Sequence, residues 1–151
     1  LVVNRELLVS EMVERGNYDY IDPTINDKEC GFGGENPEDS AEFVLMYYDG
    51  NLTKEEVIQD FEKKHLKPAD LADLLAFGEN YPEEQKKQRI MAIHTLFPIR
   101  ADGRDMHLFA LDYDETLDKR SILRLPYEKG NTFNGETCFL GRLKKKEVRY
   151  F

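Results

Sequence analysis

Two carboxylates close an apolar run late in the chain, where Leu108-Phe109-Ala110-Leu111 leads into Asp112-Tyr113-Asp114-Glu115-Thr116-Leu117. Paired carboxylates at a strand end can hold a metal ion while one of them attacks phosphorus. The other chemistry-bearing residues form weaker patterns. His65, His94 and His107 are separated and make no ligand pair at i and i+4. His94 and His107 can meet across a hairpin, but with no third ligand there the reading is a structural pair. Asp19, Asp22, Asp27 and Glu29 gather near Cys30 without the alternating spacing and central Gly of a calcium loop, so a solvated acidic loop is expected. Gly31-Phe32-Gly33-Gly34 lacks the Lys and Ser or Thr of a phosphate cradle, and no serine sits in a Gly-x-Ser-x-Gly elbow. Lys144, Lys145 and Lys146, followed by Arg149, Tyr150 and Phe151, read as a basic tail that solvates the terminus.

These residues must be held by something, and 151 residues suffice for about one domain with a real core. With 40% hydrophobic and 34% charged residues, 8 Tyr and 9 Phe, the chain is too aromatic for a disordered polymer and too charged for a membrane span. The net charge of -9 argues against a nucleic-acid coat, which needs clustered Lys and Arg. That charge is segregated. Residues 1–50 hold 12 acids and 3 bases, residues 51–100 hold 9 and 8, and residues 101–151 hold 9 and 10. Cys30 and Cys138 lie too far apart to suggest a disulfide framework, so free thiols are expected. No secretory h-region is present, and a cytoplasmic protein without membrane contact is the expectation. The chain begins with Leu1, which leaves a removed leader open. The sequon Asn51-Leu52-Thr53 is read as chance.

Local patterns predict the elements. Val2 to Val13 reads as a helix ended by Arg15 and Gly16, and Asn17 to Asn36 as a loop. Pro37-Glu38-Asp39 followed by Ala41, Phe43, Val44, Met46 and Tyr47 predicts a short helix closed at Asp49-Gly50. Thr53-Lys54-Glu55-Glu56 is a capping box opening a helix with Val57, Ile58 and Phe61 on one stripe. Pro68 opens a second helix carrying Leu71, Leu74, Leu75 and Phe77, with Gly78 as its stop. The two predict a helix–turn–helix whose second helix bears Asp70 and Asp73 and no base, so phosphate would be repelled. Ile90–Ile99, Met106–Tyr113, Ser121–Leu125 and Thr137–Leu143 read as strands, the first two joined by a hairpin at Ala101-Asp102-Gly103-Arg104. Connections this short predict a largely antiparallel sheet. The expectation is an α+β fold, N-terminal helices followed by a small, mainly antiparallel sheet, loosely C-type-lectin-like by analogy. Residues 1–36 form an acidic N-terminal helix and Gly-rich loop, and residues 37–151 the α+β domain, with a single domain over 1–151 as the other division.

Two resemblances bear on function. The Asp-x-Asp-x-Thr ending at Asp112 and Asp114 resembles the first motif of haloacid-dehalogenase-type phosphatases. That resemblance implies Asp112 as nucleophile, Asp114 as general acid/base and Mg²⁺ on the first Asp. Against it stand the 35 residues left after Thr116, too few for the family's later motifs, Glu115 in place of Gly, and the antiparallel pairing predicted here. Leu66-Lys67-Pro68 through Tyr81-Pro82-Glu83-Glu84-Gln85 resembles a block of a family of small uncharacterised bacterial proteins. Thr137-Cys138-Phe139-Leu140-Gly141-Arg142 is similar to that family's closing segment. The resemblance covers residues 53–143 and implies no activity.

The leading expectation is therefore a non-enzymatic binding module with an acidic N-terminal segment that engages a basic protein surface. It has no assigned catalytic residue, metal or cofactor and no direct contact with nucleic acid. The alternatives are a Mg²⁺-dependent phosphohydrolase using Asp112 and Asp114, and an acidic nucleic-acid mimic that inhibits a DNA-binding enzyme.

Overall fold

The computed structural model describes residues 1–4, 7–27, 38–94, 106–127 and 130–144. The chain opens with strand β1 (Val2–Asn4), helix α1 (Val9–Gly16) and strands β2 (Tyr20–Ile21), β3 (Glu38–Ser40), β4 (Phe43–Tyr47) and β5 (Leu52–Thr53). Helix α2 (Lys54–Lys63), strand β6 (Leu66–Pro68), helix α3 (Leu71–Asn80) and the single turn α4 (Glu84–Lys87) follow. Strands β7 (Arg89–Ala92), β8 (Met106–Asp114), β9 (Lys119–Tyr127), β10 (Thr132–Phe133) and β11 (Thr137–Leu143) complete it.

A seven-stranded sheet in the order β2-β9-β8-β7-β11-β4, with β6 also on β11, organises the molecule. It is mixed. β7, β8 and β9 pair antiparallel, as do β11 with β4 and β11 with β6, while β11 runs parallel to β7 and β2 parallel to β9. Alternate residues divide the core between the two faces. Ile90, Ala92, Phe109, Leu111, Ile122, Cys138 and Leu140 pack with α1 and α3. Met91, Ile93, Leu108, Ala110 and Phe139 pack with Val57 and Phe61 of α2. The sheet is thus sandwiched between helices, which explains why its central strands read as near-continuous apolar runs.

The expected order of helices first and strands afterwards is corrected, because strands lead the chain and recur between the helices. The helix predicted from Val2 begins only at Val9, since Val2–Asn4 pairs antiparallel with Glu38–Ser40. It ends on Asn17, whose left-handed backbone (φ 53°) supplies the C-cap assigned to Gly16. The helix predicted over residues 37–47 is two strands. Phe43–Tyr47 is an unbroken apolar run half-covered on both faces, and beside β11 it gains a full ladder. Its start signals lost to that pairing. Between α2 and α3 lies β6, not a bare turn, and Pro68 belongs to that strand. Helix α3 instead is capped by Asp70 and runs from Leu71 through Gly78 to Asn80.

The acidic first third is part of the same core rather than a segment apart. Val3, Val9, Met12, Val13 and Ile25 are buried together with Leu71, Leu75 and Leu111. Its carboxylates help to hold it there. Asp27 accepts the Ser10 amide at 3.0 Å and its hydroxyl at 2.7 Å, supplying α1 with the acceptor that Leu8 lacks at the N-cap. Asp19 accepts the Arg120 amide at 2.8 Å, and Asp22 binds Thr24 and the Arg124 amide.

Candidate functional site

The two carboxylates of the Asp-x-Asp-x-Thr run sit at the end of β8, where it turns into β9. Asp114 Oδ1 accepts the amides of Thr116 at 2.9 Å and Leu117 at 3.1 Å, an Asx turn that closes the hairpin. Asp118, left-handed at φ 49°, completes the turn and accepts a short bond from the Tyr113 hydroxyl. Asp112 Oδ2 accepts from Arg89 Nη2 at 2.8 Å. Each carboxylate therefore has a local task, and β8 lies between two antiparallel neighbours. A crevice at the carboxyl ends of parallel strands, which the phosphatase resemblance implies, is not formed by this hairpin.

Asp112 nevertheless borders a cleft of about 630 Å³ whose lining includes Gln85, Arg89, Asn134 and Thr137. Gln85, almost fully buried, donates to the Asp112 carbonyl at 2.7 Å and the Ser121 carbonyl at 3.2 Å. Its amide oxygen accepts from Arg120 Nε at 3.2 Å. Arg120 also donates to the carbonyls of Gly16 (2.9 Å) and Gly78 (2.9 Å), tying the ends of α1 and α3 to β9. Arg89 and Arg120 carry no motif in the sequence, Gln85 is only the last residue of the Leu66–Gln85 block, and the importance of all three appears only once four elements meet.

A second depression lies at the other margin of the sheet. β4 pairs with β11 alone among the described residues. Beside it runs a groove of about 670 Å³ lined by Phe43, Leu45, Tyr47, Phe77 and Tyr81, with Glu42 and Glu84 as its charged side chains. Because the Leu143 amide donates to the Glu42 carbonyl at 2.9 Å, Glu42, Val44 and Met46 are the residues bonded to β11. The amides and carbonyls of Phe43, Leu45 and Tyr47 point outward from the edge.

The remaining candidates are structural. Asp70 and Asp73 form the capping box of α3 and are buried, and Asp73 lies 3.6 Å from Arg142 Nη1. Both carboxylates thus serve the helix start and are not on its exposed face. Arg124 Nε donates to His107 Nδ1 at 3.0 Å. The β7–β8 ladder ends at Ala92 and Phe109, short of His94 and His107. Burial lowers the His94 pKa against the opposing pull of Asp70. Among the described residues no group of three or more His, Cys, Asp or Glu is placed to hold a metal ion. Cys138 is free and buried, its thiol pushed up to about 12 by desolvation. Glu29, Cys30, Gly31 to Gly34, the Ala101 to Arg104 turn and the tail from Lys145 lie outside the described residues. Among the described residues no helix is long and apolar enough to cross a membrane.

No protein-family model, curated protein or solved structure matches this chain. Function is therefore argued from its own residues.

Proposed function

We propose that the protein is a non-enzymatic interaction module that takes an extended, basic segment of a partner protein along β4. One observation carries the reading: among the described residues β4 has no strand on its outer side, and its outward backbone groups border an apolar groove. Unpaired edge groups are a template for an added strand, with main-chain bonds giving affinity and side-chain pockets giving selectivity. Lys and Pro are two of the devices that protect natural sheet edges, and Phe43–Tyr47 carries neither. Glu42 and Glu84 supply the sign preference. Glu84 shares its carboxylate with Lys87 at 3.0 Å, an exposed pair of little strength that a competing cation can displace. A cytoplasmic setting belongs to the same reading. Nothing in the placement of Asp112 and Asp114 favours the phosphohydrolase, and the bonded carboxylates of Asp19, Asp22 and Asp27 do not favour a nucleic-acid mimic.

The test is fluorescence titration with a labelled peptide alternating valine and lysine. Binding should weaken several-fold as salt rises from about 0.05 to 0.5 M, because the Debye length contracts. Leu45→Pro removes an outward amide without breaking a bond to β11, and should abolish binding in a folded protein. Affinity indifferent to both changes would refute the reading.

A further inference from the structure

The face of the sheet covered by α2 carries a second site, separate from the β4 edge. Arg89 and Asp112 stand side by side on neighbouring strands, 2.8 Å apart through one guanidinium nitrogen and one carboxylate oxygen. Among the described residues neither side chain makes another bond. The pair thus keeps unused guanidinium donors and a free carboxylate oxygen. Their side chains are 38% and 29% exposed, so both are within reach of a ligand yet shielded from full solvation.

The cleft they border continues inward. A cavity of about 190 Å³ opens from Arg89, Asn134 and Thr137, which line both spaces, to Met91, Leu108, Leu125 and Phe133. Phe133 is fixed there by stacking on Tyr127, ring centroids 5.4 Å apart, and by an edge contact to Phe139 at 5.0 Å. The cavity equals roughly six times one water's share of liquid volume, about 30 Å³, which is room for a small branched side chain. The charges lining the outer cleft balance, with Lys86, Lys87 and Arg89 against Asp112, Glu115 and Glu136.

We propose that this is a binding site for a small apolar amino acid in its zwitterionic form. A balanced lining gives no net pull on a lone anion or cation, whereas a paired Arg and Asp complement a carboxylate and an ammonium separated by one carbon. The Arg89 donors left unused take the carboxylate as charge-assisted bonds, and the free Asp112 oxygen takes the ammonium. The aliphatic side chain leaves water for the cavity. No bond is made or broken.

Isothermal titration of the intact protein with L-leucine, isocaproate, isoamylamine and glycine tests each part. L-Leucine should bind saturably. Isocaproate, lacking the ammonium, and isoamylamine, lacking the carboxylate, should each bind at least about tenfold more weakly, the scale of one lost charged hydrogen bond. Glycine should bind more weakly too, because it leaves the cavity unfilled. Asp112→Asn should erase the preference for leucine over isocaproate, and Leu125→Trp should block leucine by filling the cavity. The ligand series keeps the test decisive if either variant fails to fold. Absence of saturable leucine binding up to about 20 mM, or isocaproate binding as tightly as leucine, would overturn the proposal. Peptide binding at β4 should be unchanged by leucine, which separates the two sites.

Discussion

Replacing glycine by alanine inside an exposed helix normally stabilises it by about 0.8–1.0 kcal/mol. At Gly78 of α3 the sign should invert. An added Cβ there would fall on the Tyr18 hydroxyl oxygen and lie 3.2 Å from both Tyr18 Cζ and Leu111 Cδ1. Tyr18 has little room to yield. The Arg120 guanidinium covers its ring at 4.9 Å from the centroid, and Gly16 backs it so closely that a Cβ there would lie 2.5 Å from Cζ. Overpacking of this kind costs about 1–3 kcal/mol. Subtracting the helix gain leaves Gly78→Ala destabilised by about 1 kcal/mol, or a fall in Tm of roughly 2–4 °C for a domain of this size. Urea unfolding followed by far-ultraviolet circular dichroism measures the change. A companion variant sharpens it. The Tyr18 hydroxyl is buried without a partner among the described residues, and burial drives its pKa upward. Tyr18→Phe should therefore stabilise the fold, and in that background the Gly78→Ala penalty should shrink by about 1 kcal/mol, beyond the 0.3–0.5 kcal/mol within which independent sites add. A Gly78→Ala protein as stable as its parent, or strict additivity with Tyr18→Phe, would refute the packing of residues 16–18 against α3.

Arg120→Ala removes three hydrogen bonds and should cost about 3 kcal/mol in the same assay. Arg120→Lys should recover only part, since one ammonium cannot span the Gly16, Gly78 and Gln85 acceptors. The Asp22 pKa is lowered: partial burial opposes this, but the Thr24 amide and hydroxyl, the Arg124 amide and the Arg124 charge outweigh it. Its contribution to stability is therefore present above the unfolded carboxyl value and lost as pH falls through the lower folded one. Unfolding midpoints should drop below about pH 4, and Asp22→Asn should flatten that drop. Thr53→Ala breaks the α2 capping box and should lose about 1 kcal/mol by urea unfolding. In a Cys30→Ser protein, Cys138 should react with a disulfide reagent only as fast as the fold opens, because its buried thiol is pushed up to about 12; rapid modification would contradict its burial.

Legibility followed the range of the interactions. Helix α2 was readable because its capping box is complete within four residues: Thr53 Oγ1 accepts the Glu56 amide at 3.2 Å, and Glu56 reaches back at 3.1 Å. Three of the four predicted strands, at Met106–Tyr113, Ser121–Leu125 and Thr137–Leu143, were found because apolar β-formers persist there over several residues, whereas of Ile90–Ile99 only the part up to Ala92 is strand and residues 95–99 lie outside the described residues. Phe43–Tyr47 was misjudged because Pro and acids preceding an apolar run are equally compatible with a helix start, and the partner that decides between them, β11, lies 90 residues on. The Asp-x-Asp-x-Thr run was visible as unusual, but one spelling serves either a catalytic strand end or an Asx-turned hairpin. Only the direction of the neighbouring strands tells them apart.

Residue order alone carried the α+β character, the capping box of α2, the positions of β8, β9 and β11 and the concentration of acid before residue 50. These depend on contacts a few residues apart, or on composition. The packed structure decided that the acidic third is built into the core, since β2 needs β9 and α1 needs α3 to bury its apolar side. It also decided that Arg89 faces Asp112 at the mouth of a cavity and that, among the described residues, β4 pairs on one side only. Those relations join residues 23 to 101 positions apart, and no local pattern encodes which distant strand will be the neighbour.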